Sequence, residues 1–121
     1  MKKFLVILIL GLFLSSNAFS ANLKCSNKKS GFRSVFLIKP NNIERFDEVG
    51  PKGSEEFVRT QLFKIIKKDT YSHKGILKEK GVKHEINIDT YRNEAKIVST
   101  YFISKLADDV FLEEYLCKKL K

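Results

Sequence analysis

The residue pattern predicts a small, mainly β protein: one domain whose six to eight short strands run up and down as an antiparallel meander and curl towards a barrel. Three observations predict it. Short runs rich in Val, Ile, Phe, Tyr and Thr recur from Asn22 to Lys118; Gly, Asn, Pro and Ser punctuate them; and one cysteine stands near each end, at Cys25 and Cys117.

The elements follow in order. Lys2 and Lys3 precede an apolar run from Phe4 to Leu14, and small or polar residues follow around Ser15, Ser16, Asn17, Ala18 and Ser20. That is the order of a secretory signal peptide, so residues 1–20 read as a cleaved leader helix and 21–121 as the mature domain. Small residues place the cut after Ala18 or after Ser20. The apolar run is too short to cross a bilayer, which takes roughly 20 residues, so no permanent span is expected after cleavage. Lys24 stands directly before Cys25, where a lipid-anchored chain needs a small residue. The expected location is the periplasm or the extracellular space.

In the mature chain, Asn22 to Asn27 reads as a first strand and Lys28 to Gly31 as its turn. Phe32 to Lys39 contains the continuous apolar run Val35, Phe36, Leu37 and Ile38, which predicts a buried strand. Pro40, Asn41 and Asn42 supply turn chemistry before its hairpin partner, Ile43 to Phe46. Residues 54–68 fit two templates. Ser54 followed by Glu55 and Glu56 resembles a capped helix start, with Val58, Leu62, Ile65 and Ile66 on one face; a strand also fits, with Val58, Thr60, Leu62, Lys64 and Ile66 on one side and Phe63 and Ile65 on the other. The β meander that follows favours a strand over the second half.

Beyond Thr70 the pattern is clearer. Val82, His84, Ile86 and Ile88 alternate with polar residues, and Lys80 with Gly81 marks a tight turn from an upstream partner. Such a turn sets His84 opposite Leu77. Thr90 to Asn93 is a polar turn in which Asn93 suits a left-handed conformation. Ala95 to Ile103 is strand-rich, Lys105 to Asp109 reads as a loop or helix start, and Val110 to Lys118 closes the chain with Phe111, Tyr115 and Cys117 on one parity. A helix over Asp108 to Leu120 would spread its apolar residues in too many directions.

An exported chain meets an oxidising compartment, so a Cys25–Cys117 disulfide is expected. Closing a loop of about 90 residues stabilises by roughly 4–5 kcal/mol on a chain-entropy argument. Two cysteines and two distant histidines lack the paired spacing of a structural zinc site, and no cofactor motif is present.

The chain carries a formal net charge of +9, which falls to +7 once Lys2 and Lys3 leave with the leader. Lysine supplies all but four of the 23 basic residues. Because arginine is the better group for bidentate phosphate contacts and stacking, this balance disfavours a nucleic-acid reader; the partner is unknown, with anionic envelope components among the candidates. Lys74, Lys78, Lys80 and Lys83 converge on one hairpin and form the candidate anion-binding patch. The expected function is that of a monomeric, non-catalytic binding or interaction module of unknown ligand; an envelope-associated binder of polyanions, lipid head groups or lipopolysaccharide, is the alternative. A small hydrolase using His84 with Glu85 or Asp89 is the enzymatic alternative. Glu113 and Glu114 are expected to face opposite ways, which argues against a carboxylate dyad.

In length, leader and cysteine placement the chain resembles the periplasmic lysozyme inhibitors of the membrane-bound C-type family. Their Ser-Gly-containing inhibitory loop is not identified here, and a mature charge of +7 would repel a basic lysozyme, so no functional residue carries over.

Overall fold

Residues 21–102 and 109–120 are described by a computed structural model. The expected leader and residues 105–108 of the expected connection lie outside the described residues. Eight strands form: β1 (Ala21–Asn27), β2 (Arg33–Ile38), β3 (Asn42–Glu48), β4 (Phe57–Lys68), β5 (Ser72–Glu79), β6 (Val82–Asp89), β7 (Glu94–Tyr101) and β8 (Asp109–Lys119). Each pairs antiparallel with the next, and β1 pairs with β8, so the meander closes into a barrel. No sheet edge then runs the length of the molecule as a template for aggregation.

The closing seam sets Cys25 directly opposite Cys117, and the two are joined in a disulfide. The bridge ties the first strand to the last where they are already neighbours. A disulfide at this position fits a chain that folds in an oxidising compartment.

The choice between helix and strand over residues 54–68 resolves to the strand favoured for its second half. Residues 54–68 contain no helix: Ser54 to Glu56 end a loop, and Phe57–Lys68 is β4. Glu55 has φ 62°, a left-handed value incompatible with continuing a helix, and β3 offers a ladder of partners from Asn42 to Glu48. Asp109–Lys119 is likewise a strand along its whole length. Elsewhere the turn residues act as expected: Gly81 has φ +80° and Asn93 φ 56°.

Side chains of alternating parity fill the barrel. Leu23, Phe36, Ile38, Ile43, Phe63, Ile86, Ile88, Ala95, Ile97 and the cystine make a continuous apolar core. Gly75 lies against it because a side chain there would collide: an added Cβ would stand 2.9 Å from Phe63 Cβ and 3.1 Å from Ile86 Cγ2. The apolar run of β2 is explained by a second cluster on the outer surface, where Val35 and Leu37 pack with Phe46, Phe57 and Leu120.

The β3–β4 loop is pinned beside that outer cluster. Glu55 accepts hydrogen bonds from Lys24 (2.8 Å) and Arg33 (2.9 Å), and Lys24 Nζ also sits 5.8 Å from the Phe57 ring centroid. Glu48, its side chain fully shielded, accepts from Arg33 and from the backbone amides of Gly53 and Glu55. Burial pushes the Glu48 carboxyl up, but these donors outweigh it and hold it below the usual carboxylate range.

Candidate anion-binding face

Hairpin β5–β6 brings the four expected lysines together. Its register sets Lys78 directly opposite Lys83 and Leu77 opposite His84; Lys80 occupies the turn with Gly81. Lys74, Lys78 and Lys83 project from the outer surface, opposite in parity to the core-facing Gly75 and Ile86. The structure adds two members from β4. Lys64 lies opposite Ile76, and Lys67 lies opposite Lys74. Lys67 reaches this face because the register shifts between Ile65 and Lys67, leaving Ile66 as an unpaired, exposed residue.

Two directly opposed lysine pairs therefore stand on one sheet face. Like charges in that position repel, each pair costing some tenths of a kcal/mol in water. Among the described residues of this face, Lys83 alone is in an ion pair, with Glu85 at 3.4 Å. Among the described residues, Lys64, Lys67, Lys74, Lys78 and Lys80 make no ion pair or side-chain hydrogen bond.

Several carboxylates around β2–β4 and β7–β8 are already paired. Glu44 pairs with Lys39 and Arg59, Glu48 and Glu55 with Arg33, and Glu94 and Glu114 with Lys28. Burial raises the Glu44 carboxyl, but hydrogen bonds from Lys39 and Arg59 bring it below its ordinary value. These acids are neutralised by their partners, while Lys64, Lys67, Lys74 and Lys78 of β4 and β5 are left without one among the described residues.

The end of the interior nearest the β5–β6 turn is polar. Arg45 sits there with its side chain 11% exposed and bonds Asp47 (2.7 Å), Gln61 (2.8 Å), Glu113 (3.2 Å) and the Tyr115 hydroxyl (3.0 Å). Burial works against the Arg45 charge, but Asp47, Tyr115 and Glu113 more than compensate and raise its pKa. Burial, with the neighbouring Glu113, pushes the Tyr115 phenol up to about 12, so it serves as a neutral donor to Glu113 at 2.7 Å. Glu113 faces this interior cluster while Glu114 pairs with Lys28, so the two point to opposite sides. An open cleft of about 220 Å³ leads to Arg45, yet the two carboxylates already bonded to its guanidinium leave no positive charge to offer an anion.

His84 bonds Ser99 through Nδ1 (2.7 Å) and Glu79 through Nε2 (3.1 Å). The order of groups is that of a nucleophile, a base and an orienting acid, but the setting is wrong for acyl transfer. Ser99 is 5% exposed and lies opposite His84 in a strand paired on both sides, so its neighbouring amides serve the ladders and do not converge on an oxyanion. Glu85 and Asp89, the acids expected to assist His84, are not its partners: Glu85 faces outward to Lys83. His73 stands against Ile88 and Lys68, four positions further along the hairpin from the His84 pairing.

Among the described residues, no group of three or more His, Cys, Asp or Glu is placed to hold a metal ion, and no helix is long and apolar enough to cross a membrane. The fold and the exposed face define a disulfide-closed, eight-stranded antiparallel barrel with a lysine-rich flank. No protein-family model matches this chain, and no curated protein matches it.

Sequence reasoning found Lys74, Lys78, Lys80 and Lys83 but missed Lys64 and Lys67. Their exposure depends on β4 being a strand and on a bulge at Ile66, which parity along the chain does not reveal.

Proposed function

We propose that this protein is an exported, non-catalytic barrel that binds phosphate-bearing anionic surfaces of a cell envelope through the lysine face of β4, β5 and β6. The observation that carries this reading is the pair of opposed lysine couples, Lys67 with Lys74 and Lys78 with Lys83, held on one face without enough carboxylate to neutralise them. An arrangement that costs stability in the free protein becomes favourable when a polyanion spreads over it. A leader and a disulfide agree with residence in the compartment where such surfaces lie.

The shared ligand chemistry is phosphate, whether from phospholipid head groups or from lipopolysaccharide. The test measures binding of the mature protein to vesicles of phosphatidylglycerol in phosphatidylcholine, to pure phosphatidylcholine vesicles, and to lipopolysaccharide. Binding is expected on the anionic surfaces alone and should weaken steeply between 50 and 500 mM salt, because the contacts are exposed. Each lysine near an anionic membrane contributes about 1 kcal/mol, so Lys74→Glu with Lys78→Glu should lower affinity at least tenfold. Salt-independent binding, or binding unchanged in that double variant, would reject the proposal.

A further inference from the structure

The ladder between β4 and β5 begins only at Lys64 opposite Ile76 and runs to Lys68 opposite His73. Above it the strands part, and an open groove of about 490 Å³ follows their seam on the lysine face. Its floor and walls are Leu62, Phe63, Ile76 and Leu77, with Lys64 and Lys78 at the rim and Asn41 and Asn42 at one end. Leu62 is 43% exposed, an apolar side chain left open to water in the middle of a basic surface.

Taking about 30 Å³ per heavy atom, the share of a water molecule, the groove accommodates roughly 16 of them. That suits one acyl chain and little more. We infer that the groove holds the single acyl chain of an anionic amphiphile, with Lys64 and Lys78 neutralising its head group. The inference rests on the lysine face being an anion-binding surface and names what that surface holds. The reason for the pairing is complementarity: an apolar trough explains the exposed Leu62, rim cations select a negative head, and a soluble polyanion would satisfy the lysines but leave the trough wet.

The experiment uses the mature protein with its disulfide intact and two classes of probe. Palmitoyl lysophosphatidylglycerol, palmitoyl lysophosphatidylcholine and palmitate are titrated below their critical micelle concentrations, and inorganic polyphosphate is titrated as an anion without a chain. Lysophosphatidylglycerol and palmitate should bind at least tenfold more tightly than lysophosphatidylcholine. Ile76→Asn should weaken both anionic amphiphiles at least tenfold and leave polyphosphate binding unchanged. Leu62→Gln, at an exposed position where folding is not at stake, gives the same reading if Ile76→Asn proves unstable. Lys64→Glu with Lys78→Glu should weaken every anionic probe.

Equal affinity for the two lysophospholipids, or amphiphile binding unaffected by both groove variants, overturns the inference while leaving polyphosphate binding as evidence for the lysine face. Failure of polyphosphate to bind, with amphiphile binding retained and groove-dependent, overturns the broader proposal instead.

Discussion

Replacing Arg45 by methionine isolates the polar cluster inside this barrel. The guanidinium makes four side-chain hydrogen bonds inside the barrel and keeps two carboxylates, Asp47 and Glu113, in a partly shielded site. Breaking a buried ion pair by deleting one partner costs about 3–5 kcal/mol, because the remaining charge loses its compensation. Here the two acids keep side-chain exposures of 29% and 35%, so water recovers part of the loss and about 3 kcal/mol is the appropriate figure. For a domain of this size, about 3 kcal/mol corresponds to a fall in Tm of roughly 12–24 °C.

Urea denaturation followed by circular dichroism, with m held constant between variants, measures it directly. Adding Asp47→Asn and Glu113→Gln to Arg45→Met removes the stranded charges and should restore most of the stability, since a neutral cluster of similar volume replaces a buried ionic one at little cost. A loss below about 1 kcal/mol in the single variant, or no recovery in the triple one, would refute the view that Arg45 is retained to compensate those acids.

Two further outcomes test the packing and the titrating groups. Gly75→Ala should destabilise by about 1–3 kcal/mol in the same urea assay, because its methyl group meets Phe63 Cβ and Ile86 within the filled interior; an unchanged midpoint would show that β5 can move outward freely. Burial, with a smaller effect from Lys68, lowers the pKa of His73 from its ordinary 6.5, so the unfolded chain takes up that proton more readily than the folded one. Its contribution is therefore complete above about pH 6.5 and lost as pH falls through the depressed value, and His73→Gln should flatten the stability profile between pH 7 and 5.

Much of the architecture was legible along the chain because its signals are local. The alternation of Val82, His84, Ile86 and Ile88 needs only the two-residue period of a strand, and Gly81 and Asn93 needed only their tolerance of positive φ. The continuous apolar run of β2 predicted a buried strand, and the structure shows what covers its outer face, the second cluster around Val35 and Leu37. Residues 54–68 resisted the same treatment. Their apolar spacing satisfies both periods, and two register shifts, between Arg45 and Phe46 and between Ile65 and Lys67, break any constant parity. Where a strand bulges, the side chain that faces inward depends on the partner strand.

By itself the amino-acid order determined a basic, mainly β chain with a cystine expected between its ends, because period, turn chemistry and charge are properties of neighbours in sequence. Only the tertiary structure decided that β1 and β8 meet with the two cysteines in register, that Arg45 gathers Asp47, Gln61, Glu113 and Tyr115, and that Lys64 and Lys67 join the hairpin lysines. Those juxtapositions depend on barrel closure and on bulges. Both are set by which strands pair and in what register, and pairing is a relation between segments far apart in the chain.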